Sequence, residues 1–346
     1  LSAYLKQHLK DKVETRFLDL RFYKNKESCL KEKLESYHPD VIGISLLTFE
    51  QIFLSQNLEV IKKCSPHARI VIGGPYATYN YDKILANQTV DCVVVGEGEK
   101  VFLNLVRRYM EDQPICNVKG VAYSNGEAIV LNEKEEYLDM NSLPFPDYGL
   151  LDMSHYWQKQ HLQMNVVLSE KNFMPVMSSR ACPYQCTYCH DIFGKVVRKS
   201  NPQKFVNEIE MLYDDFGVRE FHIVDDIFNV DHQRMLAILN GIIDSGMLIK
   251  LAFPNGLRGD LLNKKDLRLL KQAGAYMVTL AVETASKKIQ KTIKKNLNIQ
   301  KVAENIDYAH QIGLLTKGYF MMGFPGESIE EIQSTVSFAL NSKLDM

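Results

Sequence analysis

No apolar run in this 346-residue chain approaches the roughly 18 residues that a bilayer-spanning helix needs. No basic segment followed by an apolar one opens it, so a secretory leader is not expected. Excess charge of one sign is also missing: 41 Lys and Arg face 42 Asp and Glu, a net charge of −1, which gives no support to a nucleic-acid partner. Internal repeats and low-complexity tracts are absent. What is present, 46% apolar and 24% charged residues, is the mix of a folding globular chain of about two domains rather than of a disordered one. The chain starts at Leu1 and stops at Met346 just after a helix-like stretch, which reads as an internal fragment of a longer protein.

A disulfide framework is the next thing lacking. Cysteines number seven, four scattered (29, 64, 92 and 116) and three within eight residues (182, 186 and 189). That distribution suits metal binding in a reducing, cytoplasmic setting better than a disulfide-stapled secreted domain.

Two halves alternate helix-like and strand-like segments. In the first, Ser2–Lys12 reads as helix, Thr15–Leu20 as a short strand and Ser28–Tyr37 as amphipathic helix. The continuous apolar runs Val41–Leu47, Arg69–Ile72 and Cys92–Val95 read as parallel strands buried on both faces. Such alternation predicts a doubly wound, Rossmann-like α/β sheet. Its first strand should precede residue 2 and is expected to be missing. Residues 118–132 read as a hairpin turning at Asn125-Gly126, and the proline-marked stretch 133–157 as linker. The second half alternates again from 173 onward, in five strand–helix units with a sixth beginning at the end; Asn201 and Asn263 are candidate helix caps. That pattern suits a partial (β/α)6 barrel. The domain boundaries expected are 1–117, 118–167 for hairpin and linker, and 168–346.

The chemistry sits in Ser179-Arg-Ala-Cys182-Pro-Tyr-Gln-Cys186-Thr-Tyr-Cys189-His190, a C-x3-C-x2-C loop after the first strand of the second half. Barrel active sites lie at that end of the strands. Three thiolates alone do not close a tetrahedral zinc site; they can hold three irons of a four-iron cluster and leave the fourth open. Two other readings stand beside this one: a zinc site borrowing His190, and the C-x-x-C-H haem-attachment pattern of Cys186–His190, which would leave Cys182 idle.

With Tyr188 before its last cysteine, this loop resembles the signature of the radical S-adenosylmethionine (SAM) enzymes. The resemblance runs through 173–346, with Asp225-Asp226, Glu283 and Gly323-Phe-Pro-Gly-Glu327 each following a strand. Gly73-Gly74-Pro75-Tyr76-Ala77-Thr78, Gly96-Glu97-Gly98-Glu99 and Leu143-Pro-Phe-Pro-Asp147 resemble the cobalamin (B12)-binding subclass, whose methyltransferase-like members carry a B12-binding Rossmann domain ahead of the barrel.

The resemblance implies a [4Fe–4S] cluster on Cys182, Cys186 and Cys189, with SAM on the open iron and a 5′-deoxyadenosyl radical as the hydrogen-abstracting species. Tyr188, Asp225, Asp226, Arg258 and Glu283 become candidate SAM contacts: Tyr188 near the adenine, the Asp pair at the ammonium, Arg258 at the carboxylate and Glu283 at the ribose. Each has a plainer reading: a cluster shield for Tyr188, a helix cap for the Asp pair, a surface charge for Arg258 and Glu283, and turn chemistry for Gly323–Glu327. Thr48, Gly73, Gly74, Pro75, Gly96, Glu97 and Glu99 become candidate cobalamin contacts. The Asp-x-His-x-x-Gly motif is absent, so no His of this chain is expected under the cobalt. The scattered cysteines have no metal spacing, and Cys92 reads as core. The run Lys287, Lys288, Lys291, Lys294 and Lys295 reads as a solvated helix face.

The function implied is methylation of an unactivated carbon in a small-molecule or lipid-like substrate, with flavodoxin or ferredoxin as electron donor. Alternatives are cobalamin-dependent oxidative cyclisation or rearrangement, methylthiotransfer to tRNA or protein, and a non-enzymatic iron–sulfur electron carrier.

Overall fold

The computed structural model of the protein describes residues 1–158 and 167–346; residues 159–166 of the expected linker lie outside this range. The described chain divides into two units, Leu1–Leu138 with Ser142–Asp152, and Asp139–Asn141 with Met153–Met346.

The first unit contains α1 (Ser2–Leu9), α2 (Lys26–Tyr37), β1 (Val41–Ser45), α3 (Gln51–Cys64), β2 (Arg69–Gly73), α4 (Pro75–Tyr79), α5 (Tyr81–Leu85), β3 (Cys92–Val94), α6 (Gly98–Met110), β4 (Val121–Ser124) and β5 (Ile129–Leu131). Its sheet has the order β1-β2-β3-β4-β5, parallel through β3 and antiparallel beyond. Alternate strand residues feed opposite faces, as pleating requires. Ile70, Ile72 and Val93 pack with Leu30 of α2 and Leu58 of α3, whereas Val71, Cys92 and Val94 pack with Val101 and Leu105 of α6. Helices therefore cover both faces, as the doubly wound reading expects.

Three expectations change. Residues 15–20 form no strand: the segment is extended, and Leu20–Phe22 is a short 3-10 turn capped by the Asp19 carboxylate. Leu18 and Leu20 are apolar because they pack on the α2–α3 core, not because they pair. Val41–Leu47 is not buried on both faces. β1 pairs only with β2 among the described residues, and its five residues are half-buried or exposed. The hairpin forms, with Asn125 Oδ1 accepting from the Glu127 and Ala128 N–H groups at 3.0 and 2.8 Å, but β4 pairs with β3, which makes it an extension of the first sheet. Much of the 133–152 stretch is tied to the first unit too: Glu135 takes Lys100 at 2.8 Å, and Asp147 takes Lys6 at 2.6 Å.

The second unit runs α7 (Met153–Gln158), β6 (Phe173–Val176), β7 (Ser179–Arg180), β8 (Arg198–Lys199), α8 (Pro202–Phe216), β9 (Glu220–Ile223), α9 (His232–Asp244), β10 (Lys250–Leu257), α10 (Lys264–Gln272), β11 (Ala275–Glu283), α11 (Lys287–Thr292), α12 (Ile299–Gln311), β12 (Leu315–Phe320) and α13 (Ile329–Asn341). The strands β6-β9-β10-β11-β12 pair in sequence order and all in parallel, an open section of a barrel. Asp345 and Met346 donate their N–H groups to Thr316 O, and Gly318 donates to Met346 O, so residues 345–346 lie hydrogen-bonded along β12. Asn201 and Asn263 cap α8 and α10 as expected. Gly274, at φ +100, leaves no room for a side chain: a Cβ there would lie 2.2 Å from Ile249 O.

The N-terminal ends of the strands are closed by a buried carboxylate. Glu220 is fully buried, takes His222 Nε2 and the Tyr276 hydroxyl on one oxygen, each at 2.7 Å, and the N–H groups of Ser169 and Glu170 on the other at 2.7 and 2.6 Å. Burial by itself raises its pKa, but these hydrogen bonds outweigh burial and hold the carboxyl below its usual value. A depressed carboxyl contributes stability above the unfolded value of about 4.3 and loses it as pH falls through the folded value. The urea midpoint is therefore expected to drop between about pH 5 and about pH 3, and the drop to shrink in Glu220→Gln; an equal drop in the variant would refute this assignment.

Candidate active site

In the second unit the thiol loop leaves the C-terminal side of β6 through β7. Cys182 and Cys186 are half-buried and Cys189 is exposed. Burial pushes the Cys182 thiol up, and charge on Cys189, Cys186 and Asp226 pushes it further, against the Tyr184 N–H that favours the thiolate. Cys189 is likewise raised by burial and by Cys186, with Lys195 and Lys295 acting in the opposite sense. The three sulfurs are thus electrostatic neighbours. Among the described residues, no three Cys, His, Asp or Glu side chains converge on a point that one ion could occupy. Zinc would need its ligands at about 2.0–2.3 Å from one centre; the zinc reading would add His190 as fourth ligand to the three thiolates. A four-iron cube takes each thiolate on a separate iron, and three cysteines on one short loop supply the three thiolates it needs.

The candidate SAM residues separate into distinct roles. Asp225 is 2% exposed. Its Oδ1 accepts the Ser178 N–H and its Oδ2 the Ser178 and Ser179 hydroxyls, each at 2.6 Å. Both oxygens accept from the segment that launches the thiol loop, so Asp225 clasps that segment in place. Asp226 Oδ2 accepts the Ala181 N–H at 2.9 Å, fixing the residue before Cys182 at φ +76, and its Oδ1 lies 3.9 Å from His190 Nε2.

Arg258 is likewise engaged within the chain. Its guanidinium grips Asp260 at 2.9 and 3.4 Å, donates to the carbonyls of Lys295 and Asn296, and stacks over the Tyr184 ring at 4.0 Å. A fork already filled by a carboxylate, on a side chain 10% exposed, fits neither a free SAM-carboxylate clamp nor a surface arginine.

Glu283 and Tyr188 do come together. Glu283 is 7% exposed and sits at φ +66, a backbone region costly for a side chain with a Cβ. Lys295 Nζ donates to Glu283 Oε1 and to the Tyr188 hydroxyl, both at 3.0 Å. Burial and the Glu283 charge keep the Tyr188 phenol protonated. The Tyr188 ring faces Phe324 at 6.0 Å, which brings the Gly323–Glu327 turn to the same place; that turn closes on itself through Glu327 Oε2 and the Gly323 and Phe324 N–H groups. Lys295 was hidden in the sequence by its basic run. Lys287, Lys288, Lys291 and Lys294 are exposed as expected, and Lys295 is not.

In the first unit the three parallel strands end in loops that touch one another. Leu46 donates to Gly73 O at 2.9 Å, and Tyr76 to Leu46 O at 3.0 Å. Gly74, at φ +92, presses its backbone against β1: a Cβ would lie 2.7 Å from Leu46 N and 2.9 Å from Leu46 O. Thr78, which closes the first glycine motif but was not among the candidate contacts, donates to Gly74 O at 3.0 Å and accepts the Gly96 N–H at 3.1 Å, joining the two glycine loops. Gly96, at φ +87, has no atom within 4 Å of where a Cβ would lie, leaving its backbone open to a flat ligand. Gly73 ends β2 and Pro75 starts α4; Glu97 caps α6 and Glu99 lies in its first turn; Thr48 starts the short helical turn after β1. All seven candidates therefore lie at the carboxyl ends of parallel strands, where open α/β sheets bind ligands. A 670 Å³ groove along α6, lined by Lys100, Arg107, Arg108, Glu111 and Glu135 among others, lies apart from these loops and mixes both charges.

Residues 176–339 match the radical SAM superfamily, and residues 2–106 match the B12 binding domain. The chain is 27% identical over 350 residues to an uncharacterized methyltransferase of Pyrococcus horikoshii, covering 99% of this chain and 73% of that protein. It is 26% identical to the anaerobic magnesium-protoporphyrin IX monomethyl ester cyclase of Rubrivivax gelatinosus, covering 99% of this chain and 62% of the relative. Among solved structures, the radical S-adenosylmethionine methyltransferase TsrM of Kitasatospora setae, with cobalamin and [4Fe–4S] cluster bound, superposes with a TM-score of 0.79 at 16% identity, over 98% of this chain and 67% of that one. That likeness is one of fold. The chain carries a B12-binding domain match at residues 2–106 ahead of a radical SAM match at residues 176–339. It is a radical SAM enzyme, and the cofactors these domains define are an iron–sulfur cluster, SAM and cobalamin. No described helix is long and apolar enough to cross a membrane.

Proposed function

We propose that the protein methylates an unactivated carbon of a small-molecule or lipid-like substrate, using cobalamin with a SAM-bound [4Fe–4S] cluster. The observation that carries this reading is the pairing, in one chain, of a three-thiol loop at a barrel-strand terminus with glycine loops at the strand termini of a B12-binding domain. When bound, the cluster and SAM supply a hydrogen-abstracting radical, and cobalamin supplies a methyl carrier. Cys182, Cys186 and Cys189 hold the cluster, Asp225 and Asp226 fix the loop, and Glu283 and Tyr188 face the nucleoside of SAM. Gly74, Gly96 and the residues around them cradle the corrin. A flavodoxin- or ferredoxin-class donor supplies the electrons. The methyltransferase names of the Pyrococcus relative and of TsrM favour methyl transfer; the Rubrivivax cyclase keeps oxidative cyclisation as the second reading.

Methylthiotransfer and simple electron carriage fit less well. A second cluster would draw on Cys29, Cys64 or Cys92. Cys29 and Cys92 are buried, and burial pushes the Cys92 thiol up to about 12 although its hydrogen bond with Tyr109 acts the other way, as befits a core residue. An electron carrier has no use for the buried Glu283 beside the loop.

Anaerobic expression with cobalamin supplied tests the proposal. Roughly four irons and about one cobalamin per chain are expected, with S-adenosylhomocysteine formed alongside 5′-deoxyadenosine when substrate turns over. Iron without cobalamin would remove the methyl carrier. 5′-Deoxyadenosine without S-adenosylhomocysteine would move the assignment to cyclisation or rearrangement.

A further inference from the structure

Lys295 is the one lysine of its run drawn inside. Its side chain is 11% exposed, its ammonium lies 3.0 Å from Glu283 Oε1 and 3.0 Å from the Tyr188 hydroxyl, and Tyr188 immediately precedes Cys189. The placement is fixed from several sides. Arg258 donates to Lys295 O at 2.9 Å, and the Lys295 N–H reaches Gln290 O at 3.1 Å. Gln290, 3% exposed, in turn donates to the carbonyls of Val282 and Thr284, on either side of Glu283. The same hairpin of chain grips the thiol loop directly, since the Thr187 N–H donates to Ile293 O at 3.1 Å. Holding this lysine in place takes two non-glycine residues in left-handed backbone, Lys294 at φ +55 and Asn296 at φ +52.

We propose that Lys295 is a charge-balancing and positioning residue for the iron–sulfur cluster: its ammonium, held between Glu283 and Tyr188, offsets the negative charge gathered in the thiol loop and makes the cluster easier to reduce. This rests on the cluster assigned above to Cys182, Cys186 and Cys189. Reduction adds one electron from a donor and no proton, so the cluster becomes more negative by one unit. A fixed cation nearby stabilises that form, and a fixed anion destabilises it. Lys295 and Glu283 should therefore act with opposite signs, which a purely structural role for either would not produce.

The test is a redox titration, followed by electron paramagnetic resonance, of the whole chain reconstituted anaerobically with iron and sulfide and without SAM. Lys295→Gln keeps hydrogen-bonding capacity and loses the charge; its reduced-to-oxidised ratio at fixed potential is expected to fall about tenfold, or 59 mV for one electron. Lys295→Arg should restore the ratio, Glu283→Gln should raise it, and Lys291→Gln, on the exposed part of the run, should leave it unchanged. Loss of iron from Lys295→Gln but not from Lys295→Arg also supports the proposal, because charge is what separates the two. A Lys295→Gln protein with full iron and the wild-type potential overturns it, as does equal loss of iron from the Gln and Arg variants. A wild-type chain that forms no [4Fe–4S] signal would instead refute the cluster assignment itself.

Discussion

Replacing Cys182, Cys186 or Cys189 with Ala is expected to take the reconstituted protein from roughly four irons per chain to background and to abolish reductive SAM cleavage. In the proposed cluster each thiolate would hold a different iron, so no neighbour could take over a lost position. His190 is no substitute, because its ring lies 3.9 Å from Asp226 and its side chain is 56% exposed. The fold should survive all three changes, since the loop is an excursion from β7 and the sheet core does not include it. Cys116→Ser, at an exposed position in the first unit, should keep its iron. Iron and visible absorbance measured on the four proteins decide the matter; a single Ala variant that retains four irons and cleaves SAM would remove that cysteine from the ligand set.

Asp225→Ala should be the most damaging change outside the cysteines. The carboxylate is the shared acceptor for the Ser178 N–H and the hydroxyls of Ser178 and Ser179. Behind it Arg234, itself buried, donates to the carbonyls of Ser178 at 2.8 Å and Ser200 at 3.1 Å and sets its charge against Asp225. Removing the carboxylate strands three donors and leaves a buried cation, a loss of about 3–5 kcal/mol from a total that is commonly 5–15 kcal/mol. A large fall in urea midpoint is expected, together with poor iron uptake, because the same clasp launches the thiol loop. Asp225→Asn should be milder, at about 1–3 kcal/mol. Burial pushes the Asp225 carboxyl up, so ionisation is disfavoured in the fold, and a neutral isostere gives up less than Ala does. The sign of its pH effect opposes that of Glu220: with a raised folded pKa, stability falls as pH climbs from the unfolded value of about 3.9 through the folded one. An Asp225→Ala protein with wild-type urea midpoint and iron content would refute the clasp.

Both predictions turn on short-range geometry next to residues that the sequence had already marked, and the two kinds of information divide cleanly. Alternation of apolar runs with amphipathic segments dictated a doubly wound first unit and a parallel, sequence-ordered second one, because strand and helix periods are local properties of the chain. Spacing alone was enough to single out Cys182, Cys186 and Cys189, since ligands on one loop are brought together by the loop itself. The glycine loops were legible for a similar reason: Gly74 and Gly96 adopt backbone that disfavours other residues.

Whatever depends on partners distant in sequence was decided by the tertiary structure. Thr15–Leu20 has the composition of a strand, but pairing needs a neighbour, and its leucines pack under α2 and α3 instead. Asp225 and Asp226 are adjacent just beyond β9 and differ in role because one carboxylate is buried on Ser178 and Ser179 while the other accepts the Ala181 N–H and lies near His190. Arg258 has the chemistry of a carboxylate clamp, and Asp260 already fills it. Lys295, one of five similar lysines in the sequence, becomes singular only when α11 ends and the chain doubles back between Glu283 and Tyr188. Periodicity and spacing report what a residue can do; burial and long-range hydrogen bonds determine which of those capacities remains free to act.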